Sequence, residues 1–379
     1  MTIYQEILLF MIILTIGVVQ GSAGSNQSCG QTDIHIHLIP DGQSPDGLSG
    51  PGPSGFSEER PNRPMQQKGP GQKPIGVPVY TGSAAVLISR MDKSNISAAI
   101  IMPPPHTNEN LLAGELEGLN NSVSLYPKRL FLAGGGESLN PIIHATPRES
   151  VTNETRREFR ARAVALARSG IVAFGEMAAL HLSLSQRHPF EEVPPDHPLF
   201  LELADVAAEY QIPIDLHMEA VQNQMPMPAG FSANNPATLA PNIAGLERLL
   251  DHNPDARIIW EHIGWDNTGD MTRDLLETLL SRHTNLYLAI QIEERLEAMD
   301  GTPMKNRLVD ESGTLLPEWR DLIQKYPNRF FFGTDTFIAT VPLRIPESWD
   351  QTWSVRDQLP ADLADQIDQN TRTLYRFAC

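Results

Sequence analysis

From residue 32 onward, short apolar runs of strand character alternate with longer stretches of helical periodicity, and no other feature constrains the fold as strongly. Strands are expected at Thr32–Leu38, Ala98–Met102, Arg129–Gly134, Ile171–Glu176, Ile212–His217, Arg257–His262, Asn285–Gln291 and Arg329–Asp335. Helices are expected at Ala84–Asp92, Glu109–Leu125, Glu154–Ser169, Pro198–Tyr210, Ala240–His252, Asp270–Arg282 and Pro317–Tyr326, with a closing helical region at about Asp357–Phe377. Strict alternation of this kind builds a parallel sheet covered by helices. Eight repeats, with no GxGxxG turn after the first strand and no Walker-type loop, favour closure into an α/β (β/α)8 TIM barrel over an open doubly wound sheet.

Local signals agree with this division. Asp196-His197-Pro198 sets a capping side chain beside a first-turn proline, and Gly170 after Ser169 suits a left-handed helix end. The segment from Asp41 to Gly82 is dense in Gly and Pro and poor in large apolar residues. It reads as a long loop on the carboxyl-end face of the barrel, either a lid over substrate or a loosely ordered insertion.

Ile7–Val19 is an apolar run too short to span a bilayer, and Gly21-Ser22-Ala23 follows with small residues where a signal peptidase cuts. Residues 1–23 are therefore expected to be a signal peptide and 24–31 a linker, which makes the protein an exported one, periplasmic or secreted. Cleavage removes Glu6 and no other charged side chain, so the formal charge of −17 becomes −16. Such an acidic chain is repelled by phosphate backbones and anionic lipid, which argues against nucleic-acid partners and stable membrane association. The two cysteines, Cys29 and Cys379, could pair in an oxidising compartment, while two free thiols fit the sequence equally well.

Asp33-Ile34-His35-Ile36-His37 carries the chemistry. Residues two apart on a strand face the same side, so His35 and His37 can both enter the barrel and share a cation. Four further strands, apolar along their bodies, end in a metal-binding type: Glu176, His217, His262 and Asp335. In a barrel those ends meet at one mouth. Polar groups buried without compensation cost several kcal/mol each, so a chance gathering of His, His, Glu, His, His and Asp is disfavoured.

The motifs DIHIHL (33–38), PIDLHMEA, IIWEHIGW, FFFGTD (330–335) and NTRTLYRF (370–377) resemble the amidohydrolase superfamily, above all its second family of metal-dependent hydrolases. The resemblance implies a TIM barrel of the metal-dependent hydrolase type over residues 32–379, with metal bound by His35, His37, His217 and Asp335. Where many binuclear members carry a carboxylated lysine, this chain has Glu176, which could bridge two ions with His217 and His262 on the second. The cofactor implied is one or two divalent ions, Zn2+ first and Mn2+ or Fe2+ as substitutes. Asp335 would move the proton of the attacking water to the leaving group, and His262 would hold metal or stabilise the oxyanion. The expected substrate is a small molecule with an amide, cyclic amide, lactone or other ester bond. A nonoxidative decarboxylase or hydratase would use the same ligands, and a non-catalytic exported metal-binding protein would show them without turnover; a deoxyribonuclease is disfavoured by the charge.

Glu219 and Trp265, just beyond the fifth and sixth strands, are weaker candidates for substrate contact. His106, His144, His181, His188 and His197 fall outside the strand-end pattern and read as surface residues. Asn370 reads as a cap or packing residue. Sequons begin at Asn26, Asn95, Asn120 and Asn153. Homo-oligomerisation is left open by the sequence.

Overall fold

The computed structural model describes residues 30–43, 76–108, 114–184, 188–231, 233–294, 297–298, 301–343 and 348–376. The expected signal peptide at 1–23, both cysteines, Asn26 and residues 44–75 of the Gly/Pro-rich segment lie outside them.

Eight parallel strands form the centre: β1 (Gln31–Leu38), β2 (Ile96–Ile101), β3 (Leu130–Gly135), β4 (Ala173–His181), β5 (Ile214–Met218), β6 (Ile258–Ile263), β7 (Leu286–Ile290) and β8, which runs as Phe330–Phe332 and resumes as Thr336–Ile338. Each pairs with its sequence neighbour in parallel. The first half of β8 pairs with β7 and the second half with β1, so the sheet closes on itself. The protein is a (β/α)8 barrel.

The helices are α1 (Thr81–Lys93), α2 (Glu115–Leu125), α3 (Asn140–Ala145), α4 (Asn153–Arg168), α5 (Pro198–Tyr210), α6 (Ile243–His252), α7 (Arg273–Arg282), α8 (Pro317–Lys325), α9 (Trp349–Asp357) and α10 (Ala361–Tyr375). Most bury one apolar face against the barrel, as Leu246, Leu249 and Leu250 of α6 do. Among the described residues, no helix is long and apolar enough to cross a membrane.

Several expected boundaries move for physical reasons. Helix α1 starts at Thr81 rather than Ala84, because Asp41 accepts the N–H groups of Gly82 (2.8 Å) and Ser83 (2.9 Å) and caps it from a distance. Helix α2 starts at Glu115, since Gly114 before it is left-handed (φ 84°). The closing helical region is two helices, separated where Pro360 could not sit in a helix interior. At α5 the cap is His197, whose Nδ1 accepts from Leu199 N–H at 3.2 Å, and not Asp196, which is taken by Arg148 and Arg248. Gly170 is left-handed as expected (φ 96°), and Asn370 packs by donating to the carbonyl of Pro327 at 2.6 Å.

Two strand corrections bear on the site. Strand β4 runs past Glu176 to His181, because a short strand at Glu191–Glu192 pairs with Leu180 and His181. Strand β8 is interrupted at Gly333–Asp335, where a Cβ on Gly333 would lie 2.9 Å from the Cβ of His35. The amino-terminal half of the barrel interior is apolar: Ile34, Ile100, Ala133, Ala173, Ile259, Ala289 and Phe331 pack against Leu374 and Tyr375 of α10, which floors the barrel.

Candidate metal centre

Strand alternation and two register shifts bring the polar residues together. On β1 three residue steps, Asp33 to Ile36, match two on β2, and on β4 Phe174 to Met177 match Ile214 to Leu216 on β5. These bulges lie beside His35 and Glu176 and re-aim the backbone there. A further shift, Trp260 to Ile263 against Leu288 to Ile290 on β7, lies beside His262, and β6 and β8 also turn sharply at the site. His262 (φ 64°) and Asp335 (φ 50°) both adopt the left-handed region that non-glycine residues enter at a cost, a pattern concentrated at functional sites. The broken end of β8 is sewn to β1 by Thr334 N–H to Asp33 Oδ1 (3.0 Å) and Asp335 N–H to the carbonyl of His35 (2.9 Å). Burial pushes the Asp33 carboxyl up to about 6.

All six expected ligands meet at one place, with Glu176 at the centre. Its Oε2 lies 3.3 Å from His37 Nε2 and 3.7 Å from His35 Nε2, while its Oε1 lies 2.8 Å from His217 Nδ1 and 3.3 Å from His262 Nε2. Each carboxylate oxygen therefore faces its own pair of imidazoles. Asp335 joins the first pair, with Oδ1 3.2 Å from His37 Nε2 and 3.7 Å from His35 Nε2. The side chains of His35 and His37 are essentially inaccessible, whereas that of Asp335 is 15% exposed, so a molecule entering from solvent reaches the aspartate before the histidines.

Electrostatics favour positive charge here. Burial opposes ionisation of Glu176, but the four histidines hold its carboxyl well below the ordinary range. Burial alone would lower His37, yet Asp335 and Glu176 raise it to about 9. At His217 burial dominates, assisted by His181 and His262, and the pKa falls to about 3, leaving a neutral imidazole with a free lone pair.

The hydrogen-bond partners fit a divalent cation. The carbonyl of Met102 can only accept, so His37 Nδ1 (3.0 Å) carries a hydrogen, and Nε2, facing the carboxylates of Glu176 and Asp335, is the nitrogen left to exchange its proton for a metal cation. Gln291, at the end of β7, does the same for His262. Its amide nitrogen faces the carboxylates of Glu293 (3.3 Å) and Asp335 (3.4 Å), so its oxygen faces His262 Nδ1 at 2.5 Å and fixes the hydrogen there. His262 Nε2 then directs a lone pair at a carboxylate oxygen, an arrangement that repels unless a cation is shared between them. Among the described residues, three sets of donors lie close enough to hold a metal: His35, His37 and Glu176; Glu176, His217 and His262; and His35, Asp215 and Glu261.

The weaker candidates sit differently. Glu219 is buried, its Oε1 accepts from Asn267 at 2.7 Å, and burial raises its carboxyl to about 7. Trp265 is half-buried and donates its backbone N–H to the carbonyl of His262 at 3.0 Å. The surface reading of the remaining histidines is corrected. His197 is buried; His106 pairs with the buried Glu115 at 2.7 Å; His144 hydrogen-bonds the carbonyl of Ala178 at 2.8 Å. His181 stands edge-on to His217 (ring centroids 4.1 Å) and to the half-buried His188 (4.5 Å). The extension of β4 is what carries His181 inward.

Sequence reasoning missed Gln291, Asp33, Asp215 and Glu261. A signal for Asp33 and Asp215 was available, since each precedes a site histidine by two residues and so belongs to the same strand face one layer deeper. Gln291 carried no such mark.

Close approach makes one glycine testable. Gly333→Ala would press its Cβ against His35 Cβ (2.9 Å) and Ile34 Cγ1 (3.1 Å), both held in the barrel wall. We expect about 1–3 kcal/mol of destabilisation from overpacking, read by denaturant unfolding, together with reduced metal uptake. Unchanged stability would show that the barrel wall yields there.

No curated protein matches this sequence. Solved structures similar to the chain include a probable 2-pyrone-4,6-dicarboxylic acid hydrolase from Acinetobacter baumannii, 12% identical, covering 92% of this chain and 99% of that one with a TM-score of 0.46. A 2,6-dihydroxybenzoate decarboxylase is 12% identical over 91% of this chain and 99% of its own, with a TM-score of 0.47. A lactonase variant from Deinococcus radiodurans is 15% identical over 92% and 96%, with a TM-score of 0.48. The family model described as Amidohydrolase matches residues 147–377, more than half of the chain and a span that includes Glu176, His217, His262 and Asp335, and the protein thus belongs to that family and is an enzyme of the amidohydrolase superfamily.

Proposed function

We propose that this enzyme is a binuclear metal-dependent hydrolase acting on an amide, cyclic amide, lactone or other ester of a small molecule. The carrying observation is Glu176, whose two oxygens face two separate histidine pairs as a bridging carboxylate must. His35, His37 and Asp335 would hold one ion, His217 and His262 the other, with Glu176 shared. Zn2+ suits a mixed imidazole and carboxylate set, and Mn2+ or Fe2+ fit the same donors. Such ions, when bound, acidify water to a pKa of about 7 and polarise a carbonyl group.

The chain's own residues supply the rest. Asp335, the most accessible side chain of the six, takes the proton of the attacking water and delivers it to the departing nitrogen or oxygen. Gln291 keeps Asp335 Oδ2 and His262 Nδ1 fixed during that exchange. Glu219 and Trp265, beyond β5 and β6 on the same face, are proposed to touch substrate. Export, a small-molecule substrate and the absence of a nucleic-acid partner complete the proposal and rest on the sequence.

Elemental analysis of the purified protein beside a His217→Ala variant tests the reading. We expect about two ions per chain in the parent and substantially less in the variant; equal metal in both would discredit the assigned centre. A panel of lactones, esters and amides set against carboxylated aromatics then tests the reaction class. Turnover of the carboxylated aromatics alone would replace hydrolysis with decarboxylation.

A further inference from the structure

Beneath the metal-facing groups lies a buried set that the proposed reaction does not use. His35 presents Nε2 to Glu176 and Asp335, and its other nitrogen faces the barrel interior. There Nδ1 lies 3.4 Å from Asp215 Oδ2 and 3.5 Å from Glu261 Oε2, and all three side chains are essentially inaccessible. Among the described residues, neither oxygen of Asp215 nor Oε1 of Glu261 has a hydrogen-bond partner, and neither does His35 Nδ1. Two carboxyl groups buried together without partners are costly, and burial together with the nearby Asp215 pushes the Glu261 carboxyl well above its ordinary range.

Two glycines clear the space for this set. A Cβ on Gly175 would lie 2.7 Å from Asp215 Cβ, and one on Gly333 would lie 2.9 Å from His35 Cβ and 3.5 Å from Glu261 Oε2. The floor below is closed by Tyr375 of α10, fully buried, whose pKa is driven up by burial first and then by Asp215 and Glu261.

Resting on the metal-centre reading, we propose that Asp215 and Glu261 are positioning residues that act through His35 on the bound cations. Their oxygens draw the hydrogen of His35 to Nδ1, which turns the Nε2 lone pair toward the metal and makes the imidazole a stronger donor. The contact is one-sided, since Nδ1 of His35 faces these two carboxyl groups while Nε2 faces Glu176 and Asp335. This accounts for acidic side chains in a layer otherwise filled by Ile34, Ile259 and Phe331.

The test uses Asp215→Asn, Glu261→Gln and the double variant, each stripped of metal and titrated with Zn2+ against a competing chelator. A positioning role separates two readouts that a merely structural role moves together. The metal-free variants should melt at or above the parent, because buried carboxyl groups whose oxygens lack hydrogen-bond partners have been replaced by neutral amides. Their Zn2+ affinity should fall about 10- to 100-fold, and the visible absorption of their Co2+ forms should shift. Unchanged Zn2+ affinity in the folded double variant overturns the proposal, as does a parallel fall in melting temperature and affinity. Should the variants not fold, nitrogen NMR of the Zn2+-loaded parent decides instead: His35 should carry its hydrogen on Nδ1 with Nε2 coordinated, and the reverse defeats the inference. Failure of the parent itself to take up Zn2+ would count against the metal centre, and is read separately from these outcomes.

Discussion

Replacing Glu176 by glutamine is expected to empty the site of metal. The substitution keeps the size of the side chain and removes the one charge that both histidine pairs face. Glu176 is buried, and the histidines around it hold its carboxyl ionised against the pull of burial. Removing one member of a buried, compensated charge set costs about 3–5 kcal/mol, which corresponds to roughly two to three and a half decades of metal affinity. A bridging residue makes a sharper forecast than a terminal ligand does. Both ions should weaken together, so titration of Glu176→Gln with Zn2+ should show loss of both binding events in step. Loss of one event with the other intact would mean that Glu176 serves a single ion, and the binuclear reading would give way to a mononuclear one.

How legible this site was in the sequence follows from where each residue sits. His35 and His37 were readable because strand alternation puts residues two apart on one face, and the remaining ligands because each closed an apolar run. The barrel was readable from its repeats. Glu176 was expected among these histidines for a reason that is only half right: it is not a strand end, since β4 continues to His181 under the short strand at Glu191–Glu192. What brings it inward is a register shift against β5, which depends on a neighbouring strand far along the chain and leaves no local mark. The same holds for the break in β8, set by the close approach of Gly333 to His35. Those long-range steric events decide where Asp335 and His181 point, and periodicity carries no information about them.

Gln291 shows the limit from another side. An amide at the end of β7 looks like the polar stop of a strand, and on its own it is one. Its importance arises from two hydrogen bonds to residues 29 and 44 positions away, His262 and Asp335. Asp215 and Glu261 were nearer to recognition, since each stands on the same short strand as a site histidine, yet an acidic residue inside a barrel is more often satisfied by ordinary hydrogen bonds. Their lack of such bonds became visible only in three dimensions.

Asp335→Asn separates chemistry from metal binding. The variant keeps an oxygen that can face His37 and the cation while losing the ability to accept a proton. Gln291 donates to Oδ2, so an asparagine that preserves this contact must place its oxygen there and its amide nitrogen toward His37, or else rotate and lose the Gln291 contact. Either orientation leaves Glu176 and the four histidines in place, and metal content should remain close to that of the parent. Turnover should fall by about 10²–10⁴-fold, the contribution typical of a positioned acid–base group. The discriminating comparison is kcat against metal content in one preparation. A variant that keeps its metal and its kcat removes Asp335 from the proton pathway, whereas one that loses both in proportion makes the residue a ligand and nothing more. With metal retained and kcat lost, the proton travels through Asp335, whose carboxylate lies beside His37 and is partly open to solvent.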